Sequence, residues 1–325
     1  MAQVLRHLPP VIDPAVVVGI EHGDDAAVYR LGSGENIVAT LDFFTPVVDD
    51  PFDFGRIAAA NSLSDVYAMG GTPLFALSVV CWPVKLGMEP LGRILAGGAA
   101  VATAAGIPIL GGHSVDDSVP KFGLVVIGRV DADKLCTNSA AQAGDLIYLT
   151  KPIGSGALTG ALKKDLLPPE QASEVIAVMA ALNTPGAKAM NAAGVRAATD
   201  ITGFGLLGHL HKMMLASGTA ADIDVAAVPL IAGAAALYAA GTVPGGTKRN
   251  LAYYGEHASF SATLGADAGL LVADAQTSGG ILACVPPAGV AAFERSLRAQ
   301  GALVACIGRV AACTKTRLAG QCSFR

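Results

Sequence analysis

The sequence predicts an α+β protein built from two domains of α/β type. Hydrophobic residues recur with periods of about 2 and about 3.6 in both halves, and 325 residues are enough for about two domains. Hydrophobic residues make up 52% and charged residues 15% of the chain, which excludes a disordered protein. We expect an N-terminal domain over residues 1–135 and a C-terminal domain over residues 136–325.

Strand and helix patterns alternate in the first half. The predicted strands are Asn36–Leu41, Leu74–Cys81, Ile107–Leu110 and Phe122–Val130, and the predicted helices are Pro51–Met69 and Glu89–Ala105. We expect the first helix to end at Gly70-Gly71, because glycine favours the left-handed conformation that closes a helix. The uncharged stretch Ile94–Gly112 is rich in small residues, which favours a buried helix running into a strand over a membrane span.

The second half continues the same alternation after a polar connection. That connection is Asp131–Gly144, and it is followed by a predicted strand over Asp145–Thr150, a Gly-rich turn over Lys151–Gly156 and helices over Leu158–Lys164 and Pro169–Leu182. Further on, Gly203–Gly208 fits the dinucleotide-binding pattern GxGxxG. The preceding segment Arg196–Thr202 is a poor buried parallel strand, so we interpret these glycines as packing positions at the start of a helix.

Charge and targeting signals exclude several classes of function. A formal net charge of −4 provides no basic surface for nucleic acid. The amino terminus lacks the apolar core of a signal peptide, so we expect a cytoplasmic protein that does not associate with membranes. A P-loop motif is absent, which excludes a P-loop nucleotidase. The six cysteines form no CxxC pair and lie in or beside apolar runs, so we expect buried, reduced thiols.

Acidic residues inside apolar segments are informative because charges are scarce in this chain. The pair Asp24-Asp25 precedes a strand, Asp42 ends a strand, Asp65 lies within a helix, and Asp200 precedes a Gly-rich segment. A buried carboxylate needs a cation or hydrogen-bond donors, and oxygen ligands on separate elements suit Mg²⁺ bound to phosphate. Each aspartate alone also fits a structural role as a turn, cap or acceptor. Together they predict a site for magnesium and phosphate.

Three polar segments carry weaker signals. Gly111-Gly112-His113 follows a predicted strand, where glycine lets backbone N–H groups approach a phosphate closely. Pro244–Asn250 is a basic loop that fits either an anion site or a solvated turn, and Gln276–Gly280 has the same two interpretations.

Seven motifs, in order along essentially the whole chain, resemble those of selenophosphate synthetases (selenide, water dikinases). They are Asp24–Val28, Thr40–Pro46, Phe52–Gly71, Gly111–Ser114, Thr199–His209, Pro244–Asn250 and Asp274–Gly280. That family belongs to the aminoimidazole-ribonucleotide-synthetase-like ATP-binding superfamily. The resemblance implies a homodimer whose N-terminal domains build a shared β-barrel, with an α/β sandwich as the C-terminal domain.

The resemblance also implies a reaction and its site residues. ATP, selenide and water would give selenophosphate, AMP and phosphate, with Mg²⁺ and commonly K⁺. By motif, Asp25, Asp65 and Asp200 should ligate magnesium. The residues that should contact the nucleotide are His22, Gly23, Asp24, Asp42, Asp65, Gly111, Gly112 and His113.

The chain departs from the family at its amino terminus. Family members carry a Gly-rich segment there with a Cys or selenocysteine and, three residues later, a Lys. Here the first Cys is Cys81, the first Lys is Lys85, and Met1–Leu8 resembles the helix after that segment. The chain is therefore either an N-terminally shortened form, which we expect, or a natural variant with altered chemistry, and we assign no catalytic residue.

Three alternative functions remain open. They are a non-catalytic, dimeric ATP-binding regulatory protein, another ATP-using kinase of the superfamily such as a thiamine-phosphate kinase, and an NADH-binding dehydrogenase.

Overall fold

The structure is a computed structural model that describes His7 and residues 11–325. The helix expected over Met1–Leu8 therefore lies, except for His7, outside the described residues. None of the described helices is long and apolar enough to cross a membrane.

Within the described residues, the first half forms a six-stranded sheet with two helices on one face. The sheet order is β1-β2-β3-β6-β4-β5, and its pairs are antiparallel except for β4 with β5. The elements are β1 (Val16–Val18), β2 (Ala27–Arg30), β3 (Asn36–Phe44), α1 (Pro51–Ala68), β4 (Thr72–Trp82), α2 (Glu89–Ala104), β5 (Ile109–Asp116) and β6 (Lys121–Val130), with a 3₁₀ turn at Val84–Leu86.

The second half forms a seven-stranded sheet that is mostly antiparallel. Its order is β10-β13-β9-β12-β7-β11-β8, and β13 pairs in parallel with both of its neighbours. The strands are β7 (Leu146–Leu149), β8 (Ala197–Asp200), β9 (Ala220–Ile223), β10 (Ala258–Phe260), β11 (Ile281–Val285), β12 (Ala305–Ala311) and β13 (Cys322–Phe324). The helices are α3 (Ser155–Leu162), α4 (Pro169–Ala180), α5 (Thr184–Ala193), α6 (Gly205–Ala216), α7 (Ala234–Ala239), α8 (Gly245–Tyr254), α9 (Ala268–Val272) and α10 (Val290–Ala299), with 3₁₀ turns at Val225–Ala227, Gly255–His257 and Pro287–Gly289.

Helix α1 is the central element of the molecule. It begins at Pro51 after Asp50, whose side chain accepts a hydrogen bond from the Asp53 amide (3.0 Å) and so caps the helix. It ends before Gly70, whose φ of +73° is the left-handed conformation expected there. Almost every residue from Phe54 to Ala68 is buried. Helix α1 is buried on all sides because helix α2, the first sheet and the second domain all pack against it.

One hydrophobic core continues across the two halves. Side chains alternate between the faces of a strand, so Tyr148 of β7 joins the core that also contains Phe54 of α1, whereas Ile147 and Leu149 face a second core under α6. Helices therefore cover both faces of the second sheet, as the sandwich prediction required. The first sheet has helices on one face only, and its other face exposes Leu41 and Phe43.

Two sequence expectations about this fold are wrong. Ala197–Asp200 is a fully buried strand, although we expected a poor one. The expectation that no parallel strand precedes the glycines is confirmed, because β8 pairs antiparallel with β11. Cys306 and Cys313 are exposed, unlike the other four thiols. Cys306 follows strand alternation and points away from the buried Ile307, which an apolar run does not reveal.

Glycine allows helices α1 and α2 to touch through their backbones. A Cβ on Gly97 would overlap the Phe52 carbonyl oxygen, whereas a Cβ on Gly92, in the same helix, would meet nothing within 4 Å. We expect Gly97→Ala to lower the free energy of unfolding by about 2–4 kcal/mol through overpacking.

The matched control for this prediction is Gly92→Ala, which should leave stability unchanged or raise it by up to about 1 kcal/mol, because alanine is the better helix former. Urea unfolding of both variants checks the prediction. Equal stabilities for the two variants would contradict the close approach.

Candidate functional site

Four aspartates from four elements meet at the seam between the two domains. Asp25 precedes β2, Asp42 lies in β3, Asp65 lies in α1 and Asp200 ends β8. Their negative charges repel one another and so raise the pKa of Asp65: the charges of Asp200, Asp42 and Asp25 all contribute. The structure therefore brings together the three predicted metal ligands and the predicted nucleotide contact Asp42.

Short hydrogen bonds orient three of these carboxylates. Thr199 Oγ1 donates to Asp25 Oδ1 at 2.7 Å, and Asn61 Nδ2 donates to Asp42 Oδ2 at 2.7 Å. Asp65 Oδ2 accepts from Thr40 Oγ1 at 2.5 Å. The donors are neutral, so they fix the carboxylate positions without neutralising their charge.

The fourth carboxylate, Asp200, is buried and only partly satisfied. Ser64 donates to it, yet its Oδ2 atom has no hydrogen-bond partner among the described residues. A buried charged oxygen without a partner is costly. An oxygen of this kind, beside two further carboxylates, fits a hard cation such as Mg²⁺.

The pKa shifts have the same physical cause in all four aspartates. Burial is the largest contribution and raises every pKa; for Asp25 and Asp65 the charge of Asp200 adds to it. The pKa of Asp200 rises to about 6, because burial outweighs the hydrogen bond from Ser64. The cluster thus has an excess of negative charge that a bound cation would relieve.

The site does not resemble a closed metal cage. Among the described residues, no three His, Cys, Asp or Glu side chains are already grouped to hold one ion. Mg²⁺ does not need such a group, because it usually keeps several waters and binds one or two carboxylates together with substrate phosphates. The residues present therefore fit a metal that arrives with a phosphate ligand.

The segment before Asp25 is fixed to the connection between the domains. The Asn138 amide donates to Asp24 Oδ1 at 2.6 Å, and Asn138 Nδ2 donates to the Gly23 carbonyl at 2.9 Å. His22 next to them is exposed. These three predicted nucleotide contacts lie beside the aspartate cluster with their outer side open to solvent.

Gly111-Gly112-His113 lies elsewhere, and in a strand rather than the expected loop. The three residues are part of β5, the edge strand of the first sheet. Gly112 pairs with Ser78, Ser78 with Leu124, and Leu124 with Asp42, so two strands lie between the glycines and Asp42. Three inter-strand spacings of about 4.8 Å each make this gap about 14 Å. Within one subunit the segment does not reach the cluster.

The two other polar segments have structural roles in the described contacts. Pro244–Asn250 is the start of helix α8 rather than a loop: Thr247 Oγ1 donates to the buried Asp274 at 3.0 Å. Gln276 Oε1 accepts from the amides of Gly154 and Ser155, at 2.9 and 3.0 Å. Both segments hold the Gly-rich turn and helix α3 in place.

Two lysines near the cluster were missed by the sequence analysis. Lys151 is buried and donates to the carbonyls of Ala181 (2.6 Å) and Ser278 (2.9 Å). Burial lowers its pKa to about 7, against the attraction of Asp200. Lys212 of α6 is half-buried near Asp25. The available signal is a lysine inside an apolar run, which on its own indicates only a turn or a helix.

Comparisons with known proteins agree with this architecture. Residues 23–130 match the family model of the AIR synthase related protein, N-terminal domain, and residues 142–321 match that of the C-terminal domain. The chain is 50% identical over 308 residues to the selenide, water dikinase of Carboxydothermus hydrogenoformans, covering 95% of this chain and 90% of that protein. It is 49% identical to that of Myxococcus xanthus, covering 96% and 89%.

Solved structures show the same fold at lower identity. The hydrogenase maturation protein HypE in complex with ATP superimposes with a TM-score of 0.68, at 22% identity, over 98% of this chain and 88% of that one.

The raised pKa of Asp200 predicts a pH dependence of stability. A folded pKa of about 6, above the ordinary value of 3.8, means that the folded protein binds more protons than the unfolded chain between these pH values. The free energy of unfolding therefore falls as the pH rises from 3.8 to about 6, because ionising the buried Asp200 destabilises the folded state. This destabilisation is complete above about pH 6. The buried His209, whose pKa burial lowers from 6.5 to about 3, acts in the opposite direction at acid pH. The contribution of Asp200 is therefore taken from the difference between the wild type and a variant that lacks this carboxyl group, both measured without divalent cations.

Asp200→Asn removes the carboxyl group that must ionise. It should weaken this pH dependence and raise the free energy of unfolding at pH 7.5 by about 1 kcal/mol, measured by urea unfolding in EDTA. The exposed Asp131→Asn is the control and should behave as the wild type. An unchanged pH dependence in Asp200→Asn would contradict the assignment.

Proposed function

The chain belongs to the selenide, water dikinase family within the AIR synthase related proteins, and on that premise we propose that it forms selenophosphate from selenide and ATP, releasing AMP and phosphate. Identity of 50% over 95% of the chain supports the family's reaction. The observation that carries the proposal is the seam itself, where four aspartates have raised pKa values and the Oδ2 atom of one of them, Asp200, has no hydrogen-bond partner among the described residues.

The proposed site holds the phosphate chain of ATP between the two domains. Asp25, Asp65 and Asp200 would hold magnesium, which, when bound, supplies positive charge to the phosphate oxygens. The described residues single out no position for K⁺, which stays an expectation from the family resemblance.

The protein's own residues act by positioning. Phosphoryl transfer passes through a loose transition state and depends on alignment and charge stabilisation more than on covalent help. Thr40, Asn61 and Thr199 hold the carboxylates in fixed orientations. Asp42, His22, Gly23 and Asp24 would then contact the nucleotide at the open side of the cluster.

The open face of the first sheet supports a homodimer. Leu41 and Phe43 are 51% and 43% exposed there, and Val125 and Ile127 of the neighbouring strand are only half-buried. Two such faces packed together would form the expected barrel and bury this apolar surface. A second copy would also supply the Gly111-Gly112-His113 segment that a single subunit holds about 14 Å from Asp42.

The remaining assignments are part of the same proposal. Residues 1–135 would be the nucleotide-binding and dimerisation domain and residues 136–325 the second domain, since each sheet lies within one of these ranges. A cytoplasmic location is consistent with six free thiols in the described chain.

The reaction is tested by AMP formation from ATP with Mg²⁺ and K⁺, with and without anaerobic selenide. The assay uses this chain and the same chain preceded by a Gly-rich Cys/Lys segment. We expect selenide-dependent AMP from the form that carries this segment. Asp65→Asn should lower it at least about 100-fold, because the site loses a ligand for the magnesium that neutralises phosphate charge. Asp131→Asn, on an exposed carboxylate, is the matched control.

Other outcomes would exclude the proposal. ATP turnover that does not depend on selenide would indicate another kinase. ATP binding without AMP formation, with or without the added Gly-rich Cys/Lys segment, would indicate a binding protein. Full activity in Asp65→Asn would exclude the aspartate seam as the reaction site.

The dimer is tested by the mass in solution. We expect twice the chain mass of 32.6 kDa for the wild type and a shift towards one chain mass for the double variant Leu41→Arg, Phe43→Arg, because charges on an apolar interface lose their hydration. Leu318→Arg, at another exposed apolar residue, should stay dimeric. Light scattering after gel filtration measures all three, and a monomeric wild type would contradict the proposal.

A further inference from the structure

Lys212 reaches from the second domain to the open side of the aspartate cluster. It lies on helix α6, and its Nζ stands 3.8 Å from the centroid of the Phe204 ring. The same nitrogen is 4.0 Å from the position that a Cβ of Gly23 would occupy. The ammonium group thus lies across the domain seam from the segment that contains Asp24 and Asp25.

The ammonium group has donors to spare. Lys212 makes no hydrogen bond and no ion pair with the residues that the structure describes, although it is half-buried. Its only close partner there is the face of Phe204. An aromatic face attracts the cation but forms no directional hydrogen bonds with the three N–H donors of the ammonium group. A partly desolvated cation with unused donors favours an anionic ligand.

The neighbouring charges place this cation at the rim of the cluster. Asp25 attracts it, and Lys212 in turn lowers the pKa of Asp25 and of the buried His209, whose pKa burial has already reduced to about 3. His209 is therefore neutral and does not compete for an anion. Lys151, the other lysine of the seam, is committed to two backbone carbonyls. Of these two lysines, Lys212 is the one whose N–H donors are free for a ligand.

Gly23 leaves room for that ligand. Its φ of +64° and missing side chain expose the backbone between the ammonium group and Asp24. A phosphate group entering here would be contacted by Lys212 while its other oxygens face the carboxylate cluster and any metal held there.

We propose that Lys212 is a binding residue for the phosphate chain of the nucleotide, donated by helix α6 of the second domain. The inference rests on the proposed function for the identity of the ligand. It adds a positively charged phosphate contact beside the four carboxylates, and it needs no residue outside the described chain.

The test compares ligands that differ in phosphate content. Lys212→Met keeps the apolar stem on Phe204 and removes the charge, and Lys212→Arg keeps the charge. Calorimetry with MgATP, MgADP and adenosine should show about 10- to 100-fold weaker MgATP binding for the methionine variant. Arginine should restore most of the affinity, and adenosine affinity should not change. Lys188→Met, at an exposed lysine of α5, is the matched control.

Each outcome decides the proposal. Unchanged MgATP affinity in Lys212→Met, or an equal loss for adenosine, would overturn it. Thermal unfolding without nucleotide separates a folding defect from lost binding, and Lys212→Gln repeats the test if the methionine variant does not fold. A phosphate-dependent loss of affinity without any selenide-dependent AMP in the wild type would keep Lys212 as a phosphate contact and reject the proposed reaction.

Discussion

The hydrogen bonds between helix α1 and the second domain determine the rest of the structure. Asn61 Oδ1 accepts from the Ser278 amide at 2.9 Å, and Asn183 Nδ2 donates both to Ser64 Oγ and to the Gly279 carbonyl at 2.8 Å. These buried polar groups are satisfied only when the domains are together, and leaving one unpaired costs about 1–3 kcal/mol. Polar contacts of this kind fix one relative position of the domains, which apolar packing alone does less strictly. Asp65 and Asp200, on opposite sides of the seam, are held close by that constraint.

The seam combines local repulsion with stability elsewhere. Carboxylates that repel each other destabilise the folded state, yet the surrounding apolar core and the hydrogen bonds of Thr40 and Thr199 hold them in place. Strain of this type is common at sites that bind a charged ligand. It is tolerated because many other interactions of the fold hold these residues in place. The neutral donors around the carboxylates leave their charge available, which a set of lysine or arginine partners would not.

Much of the fold was predictable because local patterns and global packing agree. The Asp50 cap, Pro51 and Gly70 define helix α1 to within one residue of the predicted end. The four aspartates stood out because a carboxylate is rare in apolar sequence. Partners distant in sequence were not predictable: Lys212 acquires its role only from Asp25 across the seam, and Lys151 only from Asp200 elsewhere in the second domain. The edge position of Gly111-Gly112-His113 and the exposure of Cys306 depend on strand order and strand facing, which periodicity does not specify.

The hydrogen bond from the Ser278 amide to Asn61 joins residues 217 positions apart. During synthesis on the ribosome, helix α1 emerges long before the segment that contains Ser278. Asn61 therefore lacks this hydrogen-bond partner while most of the chain is translated. Contacts of such long range close late in folding. Helix α1 therefore completes its packing against the second domain only after Ser278 has been synthesised, when most of the chain is already present.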